Sequence, residues 1–364
     1  MSVLLAIAVL GILIVVHELG HFMAARLQNI HVNRFSIGFG PVVWKYQGPQ
    51  TEYALRGFPL GGFVGFPDDD PDSTIPKNDP DLLRNRPILD RAIVISAGVI
   101  ANLIFAYFLL VAQVGIVGVP DFNYAPGVKV PEVATNVSSA AAKAGIEAND
   151  VILSVDGKEL GANKEAITTL VETIQNSPNQ PLKMKLQRDT QTLNVEVTPE
   201  LADDGQGRIG VQLISNGDLI RNRSNNIVEA FSIGASEFQK IVVLTIQGFG
   251  QLISNFSQTA GQLSGPVAIV DIGAKIARDN AGELFRFAAL ISVNLAIINI
   301  LPLPALDGGQ LAFLAIEGVR GKPLPLHIQE NVMQTGLVLL LGLGIFLIIR
   351  DTANLDGVRS IFQR

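Results

Sequence analysis

Four long apolar stretches constrain the fold of this chain more than any other feature of its sequence. A helix that crosses a hydrocarbon core of ~30 Å needs about 20 largely apolar residues. The stretches run from Ser2 to Leu27, from Arg91 to Gly118, from Phe287 to Leu303 and from Thr335 to Ile349. A cleaved signal peptide is the alternative for the first stretch, which has no preceding basic residue and no Ala-x-Ala site. We therefore expect a membrane α-helical fold with four transmembrane helices.

The composition excludes several classes of protein. Apolar residues make up 48% of the chain and charged residues only 16%, which is too apolar for an ordinary soluble domain. The net charge is -6 and the basic residues form no stripe, so we expect no nucleic acid partner. The chain has no cysteine, which excludes disulfides and thiolate metal sites. With only four histidines, any metal site must be built from few ligands.

The loop at residues 28–90 contains a predicted β-hairpin. Val42–Tyr46 and Thr51–Leu55 alternate in character across a Gln-Gly-Pro-Gln turn, and the apolar segment Phe58–Phe63 follows. We expect this hairpin to associate with the membrane. The acidic run Asp68–Asp72 lacks the spacing of a calcium loop, so a solvated loop is the favoured interpretation and a cation site the alternative.

Residues 119–286 differ in character from the spans on either side. Residues 139–157 predict a short helix, a turn at Gly145, a strand and an Asp-Gly hairpin, and a strand pair follows at Leu182–Gln187 and Thr192–Thr198. This pattern indicates a folded extramembrane domain. The segment from Ile227 to about Ser254 has apolar residues at helical spacing, which predicts an amphipathic helix at the membrane face.

The string HELGH at residues 17–21 lies within the first apolar stretch. Two histidines four residues apart share one face of a helix and can hold one Zn²⁺, while the adjacent glutamate can take a proton from water on the metal. The alternative is a helix end that meets interfacial water. At 1.5 Å per residue, His17 is roughly 22 Å along the helix from Ser2, still at hydrocarbon depth. Three ionisable groups there are costly unless they bind something, so we expect a metal site.

A catalytic zinc needs a third protein ligand and one open position. The best candidate is Asp307, because two prolines and two glycines must interrupt the third stretch around this carboxylate. The alternative makes Asp307 the N-cap of a helix at Gln310–Glu317. His31 and His327 lie in predicted loops, which favours Asp307 as the ligand.

These motifs together resemble the site-2 protease family, in particular its bacterial regulator-of-sigma-E type. HELGH, the string NLAIINILPLPALDGG at residues 294–309 and the pattern Gly98-x-x-x-Asn102 carry the resemblance, which covers essentially the whole chain. It implies that His17, His21 and Asp307 bind zinc and that Glu18 is the catalytic general base. It also implies a PDZ-like α+β domain between spans two and three, and substrate contacts at a set of residues near the break: Asn294, Asn299, Pro302 and Pro304.

The predicted topology follows from the alternation of the spans. Basic residues such as Arg26, Arg84, Arg91 and Arg320 flank the spans on one face, which the positive-inside rule makes cytoplasmic. The PDZ-like domain then faces the periplasm of a bacterial inner membrane. The predicted segments are span 1–27, loop 28–90, span 91–118, PDZ-like domain 119–220, connector 221–286, span 287–318 with the LDG motif, loop 319–334 and span 335–350.

The sequence therefore predicts a zinc metalloendopeptidase that cuts transmembrane segments of other proteins, in regulated proteolysis of anti-sigma factors or signal-peptide-like remnants. Its expected partners are these substrates and the lipid bilayer, with no organic cofactor. A strand within residues 52–66 is expected to pair with the extended substrate. Two alternatives remain open: a catalytically inactive PDZ-bearing scaffold, which leaves Glu18 unexplained, and a metal transporter, which needs no PDZ-like domain.

Overall fold

The computed structural model describes residues 1–70, 72–132, 139–202, 205–224, 226–256, 261 and 263–354. The chain divides into two compact units, one made of Met1–Gly118 with Arg223–Arg364 and the other of Val119–Asn222. The helices, in chain order, are α1 Ser2–Leu27, α2 Ile88–Ile116, α3 Ala140–Lys143, α4 Glu165–Gln175, α5 Ile227–Ser254, α6 Pro266–Asp279, α7 Leu284–Ile300, α8 Asp307–Arg320 and α9 Leu326–Asn354. The strands are β1 Arg34–Gln47, β2 Glu52–Gly65, β3 Val119–Lys129, β4 Val151–Val155, β5 Lys158–Glu159, β6 Leu182–Arg188, β7 Gln191–Val197, β8 Glu200–Leu201, β9 Gly207–Arg208 and β10 Ile214–Asn222.

In the part of the first unit that the structure describes, four helical segments are long and apolar enough to cross a membrane: α1, α2, α9 and the segment Ala281–Ile300 that includes α7. These are the four stretches predicted from the sequence, although the second, third and fourth helical segments begin earlier than the predicted stretches. The last one begins at Leu326 rather than Thr335. Hydropathy marks the part of a helix that suits the bilayer core, whereas backbone hydrogen bonding continues through polar residues.

The third span ends because Pro302 cannot continue it. Proline disfavours the α conformation of the residue before it and has no N–H to donate. Leu301 accordingly has extended dihedral angles, φ -62° and ψ 141°, and α7 stops at Ile300. The next helix begins at Asp307, three residues earlier than the predicted Gln310.

Strands β1 and β2 bend back on themselves and form a four-segment sheet. Residues 42–47 pair antiparallel with residues 52–56, as the predicted hairpin requires. Residues 34–37 pair with residues 52–55 on one side and with residues 62–65 on the other. The segment order is therefore 42–47, 52–56, 34–37 and 62–65, so residues 62–65 form one edge of the sheet.

Close helix contacts assemble the first unit around α2. At Gly20 of α1, a Cβ atom would overlap the carbonyl oxygen of Ala97 and lie 2.8 Å from Cβ of Ala101. The absence of a side chain at Gly20 therefore allows α1 and α2 to approach closely. A buried cluster joins α2 to α5 and α7; its members are Ala106, Leu110, Ile241, Ala289 and Val293.

The second unit is a sheet with strand order β10-β3-β4-β6-β7 and a core of its own. The predicted helix, hairpin and strand pair are present within it, and the Ser139 hydroxyl accepts the N–H of Ala142 at the start of α3. Asp150 is a buried carboxylate of this unit, and it accepts hydrogen bonds from Nε of Arg188 at 2.8 Å and from the backbone N–H of Glu147 at 2.8 Å. Burial alone would raise the pKa of Asp150, but the hydrogen bonds from Arg188 and Glu147 and the charge of Arg188 lower it below its usual value.

Candidate metal centre and active site

Three side chains from two distant parts of the chain converge in the first unit. His17 and His21 are one turn apart on α1, and their Nε2 atoms are 3.2 Å from each other. Oδ2 of Asp307, the first residue of α8, lies 3.3 Å from Nε2 of His17 and 3.4 Å from Nε2 of His21. The three predicted ligands therefore meet at one point, with side chains only 12–14% exposed.

The spacing of these atoms fits a tetrahedral metal ion. Ligand atoms at 2.0–2.1 Å from a tetrahedral zinc lie about 3.3 Å from one another. The three observed separations are 3.2, 3.3 and 3.4 Å, so the atoms form one face of a tetrahedron of that size. The donor set of two imidazoles and one carboxylate is also one that catalytic zinc sites use.

Asp307 has no other partner that would explain its position. The N-cap of α8 is Leu306, and Asp307 makes no capping hydrogen bond. Its Oδ2 atom is buried without a hydrogen-bond partner. Because an isolated buried carboxylate is strongly unfavourable, this orphaned atom supports a bound cation rather than the N-cap alternative.

An unusual backbone conformation brings Asp307 to the histidines. Ala305 has a φ of 68°, in the left-handed region that residues with a Cβ rarely adopt. Its N–H points to Sδ of Met333 at 3.3 Å. After this turn, Gly308 packs so closely that a Cβ there would overlap the carbonyl oxygens of Ile300 and Leu301. The short segment from Leu301 to Leu306 therefore reverses onto the end of α7.

Two residues of α2 contact the ring nitrogens that face away from the proposed metal position. Nδ1 of His21 lies 2.8 Å from the carbonyl oxygen of Val94, so it carries the proton and leaves Nε2 with a lone pair. Nδ1 of His17 lies 3.3 Å from Nδ2 of Asn102. At Gly98, a Cβ would overlap Nε2 of His21. The helix α2 therefore contacts both imidazoles.

Glu18 lines a cavity of about 590 Å³ that also contains the three metal-binding candidates. Edge residues 62–64 of the sheet border the same cavity, and a Cβ at Gly62 would lie 2.8 Å from Cγ of Glu18. Within the described residues, the Glu18 carboxylate accepts no hydrogen bond. The site therefore combines an available carboxylate, a sheet edge and space for a peptide segment.

The four residues predicted to contact substrate lie in different surroundings. Nδ2 of Asn299 is 3.3 Å from Nε2 of His17, and Asn299 lines the cavity with Glu18. Asn294 instead lines an apolar cavity of about 840 Å³ between α5, α6 and α7. Pro302 and Pro304 border neither cavity, and Pro304 packs against Gly336 of α9. Only Asn299 of this set lies beside the histidines.

A second cluster, made of His31, Asp79 and Asp81, also brings three ligand atoms together. One of its two carboxylates already has a cationic partner, because Arg86 binds Oδ1 of Asp81 at 2.7 Å. Two carboxylates of the acidic run Asp68–Asp72 also have partners. Oδ1 of Asp68 accepts a hydrogen bond from Nε of Arg84 at 2.8 Å, and Asp70 accepts one from the side-chain amide of Asn33. These contacts favour a structural role over a cation site for both groups of residues.

Sequence reasoning assigned no role to three residues that shape this centre: Ala305, Gly62 and Asn102. The Gly98-x-x-x-Asn102 pattern gave a signal for the last of these, since residues four apart share a helix face. Nothing in the sequence signals the backbone conformation of Ala305, because left-handed φ values are typical of glycine and asparagine.

Comparison with known proteins identifies the family. The model described as peptidase family M50 matches residues 5–343. A candidate zinc metalloprotease from Nostoc sp. is 63% identical over 367 residues, covering 100% of both chains. The regulator of sigma-E protease RseP of Escherichia coli is 30% identical over 443 residues, covering 93% of this chain and 96% of that protein. A solved PDZ domain of the SdrC-like protein from Listeria monocytogenes has 18% identity and a TM-score of 0.21, covering 24% of this chain and 87% of its own. The chain belongs to peptidase family M50, the site-2 protease family, and is a multi-pass membrane metalloprotease.

Proposed function

We propose that this metalloprotease holds one zinc ion on His17, His21 and Asp307 and hydrolyses peptide bonds within the transmembrane segments of other membrane proteins. The observation that carries the proposal is the triangle of ligand atoms, whose sides of 3.2–3.4 Å match a tetrahedral zinc site. The location of this triangle on a helix apolar enough to cross a membrane supports an intramembrane substrate.

Glu18 is the proposed general base. Bound zinc supplies a Lewis acid that lowers the pKa of a coordinated water and polarises a carbonyl group. The Glu18 carboxylate lines the cavity next to the ligands, so it can accept the proton of the attacking water and return it to the leaving amine. The amide of Asn299 lies beside His17 and can donate a hydrogen bond to the substrate backbone.

The edge segment 62–65 is the proposed docking site for the substrate backbone. An extended peptide in a site without water needs partners for its N–H and C=O groups. A sheet edge supplies these partners for a substrate of any side-chain sequence. Residues 52–55 are paired on both sides, so the range proposed to pair with substrate narrows from 52–66 to 62–65. Gly62 lies against Glu18, which would bring a strand added here close to the catalytic base.

This docking mode predicts the class of substrate. A transmembrane helix hides its carbonyl groups in internal hydrogen bonds and must unwind before it can add to a sheet edge. Segments with Gly, Pro, Asn or Ser are therefore the favoured substrates, such as those of anti-sigma factors or signal-peptide-like remnants. We place residues 28–90 on the cytoplasmic side of a bacterial inner membrane and the unit Val119–Asn222, as a PDZ-like domain, on the periplasmic side.

The test is cleavage of a single-span model substrate in liposomes that contain the purified full chain. We expect fragments whose new termini lie within the span, loss of cleavage with a zinc chelator, and loss of cleavage in Glu18→Gln. A cut confined to the extramembrane part of the substrate, or full activity of Glu18→Gln, would contradict the proposal. The scaffold and transporter alternatives both predict no cleavage by the wild-type chain.

A further inference from the structure

Asn102 is a buried amide whose contacts do not match the protonation that zinc binding demands of His17. Asn102 is 0% exposed, and its Oδ1 atom is buried without a hydrogen-bond partner. Its Nδ2 atom faces Nδ1 of His17 at 3.3 Å. An unsatisfied buried carbonyl oxygen is unfavourable by about 1–3 kcal/mol, so this arrangement needs an explanation.

The protonation of His17 supplies that explanation. Its Nε2 atom faces Asp307 and His21, so Nε2 must carry the lone pair that binds the metal. A neutral imidazole then has its proton on Nδ1, which must donate a hydrogen bond. In the present orientation this N–H would face the N–H groups of Asn102. Rotation of the amide by half a turn exchanges its nitrogen and oxygen within nearly the same volume and gives the proton an acceptor.

His21 provides an internal comparison. Its Nδ1–H donates to the carbonyl oxygen of Val94 at 2.8 Å, and this contact leaves Nε2 free for the metal. The backbone of α2 therefore fixes the tautomer of one histidine. About two turns of helix beyond Val94, the side chain of Asn102 occupies the corresponding position for the other histidine.

We propose that Asn102 is a positioning residue for His17: its amide oxygen accepts the Nδ1–H of His17 and fixes the tautomer that presents Nε2 to zinc. The inference rests on the proposed function, because it assumes the metal site described above. The backbone of Asn102 is itself held in place, since the hydroxyl of Ser292 donates to its carbonyl oxygen at 2.8 Å. Ser292 is also fully buried, so α7 restrains this part of α2.

The test compares zinc affinity of full-length variants by competition with a chromogenic chelator. Asn102→Leu keeps the approximate volume but removes the acceptor, so we expect zinc affinity to fall about 10- to 100-fold, as for other residues that orient a histidine ligand. Asn102→Asp keeps an acceptor and has no N–H donor, so its affinity should stay within a few-fold of the wild type. Gly115→Ala, on the same helix with open space around its Cβ, is the control and should bind zinc like the wild type.

Two further results separate the roles of this residue. In cobalt-substituted protein, Asn102→Leu should lose intensity of the visible tetrahedral bands while Asn102→Asp retains it. Wild-type zinc affinity in Asn102→Leu would overturn the inference, because a space-filling role predicts that result. Equal losses in Asn102→Leu and Asn102→Asp would also overturn it, because both variants lack the N–H donor of Asn102. If the wild type itself binds no zinc, or if His17→Ala binds it normally, the proposed function fails rather than the role of Asn102.

Discussion

A Cβ atom at Gly98 would overlap Nε2 of His21 and lie 2.8 Å from Cε1 of His17. The second span thus approaches the metal-binding face of the first so closely that no side chain fits between them. This contact links the Gly98-x-x-x-Asn102 pattern of α2 to the His17–His21 pair of α1. It also shows why the two patterns belong to one site although they lie on different helices.

Gly98→Ala should therefore disturb the metal centre. The added methyl group forces the imidazoles or α2 to shift, and overpacking of this kind typically costs about 1–3 kcal/mol of stability. We expect zinc content and cleavage to fall together. Gly115→Ala, on the same helix, has open space around its Cβ and should leave both unchanged. A Gly98→Ala protein with wild-type zinc content would show that α2 does not constrain the histidines.

The left-handed conformation of Ala305 predicts an unusual substitution pattern. Ala305→Gly should stabilise the protein by up to about 1–2 kcal/mol, the cost of this conformation for a residue with a Cβ. Ala305→Val should destabilise it and lower zinc content, because the turn positions Asp307. Thermal unfolding and zinc analysis of both variants test this. Ala312→Gly, inside α8, is the control and should lose stability; an equal loss in Ala305→Gly would contradict the account.

The sheet edge gives a prediction about substrate docking. The carbonyl oxygen of Gly65 accepts the N–H of Asn33, so by alternation the N–H of Val64 points away from the sheet. Val64→Pro removes this outward donor, and cleavage should fall about 2- to 10-fold, equivalent to one hydrogen bond of about 0.5–1.5 kcal/mol. Zinc content should not change.

Two other proline variants serve as controls for Val64→Pro. Val43→Pro lies in the segment at the opposite edge and should cleave normally. Tyr53→Pro lies in a segment paired on both sides, so it should damage the sheet itself. If Val64→Pro and Val43→Pro reduce cleavage equally, the hairpin supports the fold and residues 62–65 do not bind substrate.

The Asp150–Arg188 contact predicts how the second unit responds to acid. The pKa of Asp150 is held below its usual value in the folded unit, so the folded state binds fewer protons than the unfolded state. The resulting stabilisation is complete above the unfolded pKa, about 3.9, and is lost as the pH falls from there through the lower folded value. Hydrogen exchange of β4 amides, corrected for intrinsic rates, should show protection decreasing over this range. Arg188→Met should have lower protection near neutral pH and a weaker pH dependence; an unchanged pH profile would contradict this assignment.

Local patterns explain which parts of the structure were predictable. Hydropathy marked the four spans, and the i, i+4 spacing of His17 and His21 placed both imidazoles on one face of α1. The position of Asp307 at a helix break was predictable, because prolines and glycines around a carboxylate in an apolar segment indicate a break that serves a function. Each of these signals depends only on neighbouring residues.

The features that sequence reasoning did not reach depend on contacts between distant segments. Asn294 and Asn299 are both on α7, but five residues turn a helix by about 140°, so they face different cavities. Residues 34–37 pair with two segments of β2, a register that alternation along a single strand does not specify. The role of Asn102 appears only once its amide and the ring of His17 lie side by side.

Zinc content of the purified full chain, measured together with cleavage in the wild type and two variants, tests the central claim most directly. We predict one zinc per chain in the wild type and in Glu18→Gln, which should not cleave because it lacks the general base. Asp307→Ala should lose both zinc and cleavage, because two histidines alone do not complete a catalytic site. Full zinc occupancy in Asp307→Ala, or cleavage by Glu18→Gln at the wild-type rate, would contradict the account.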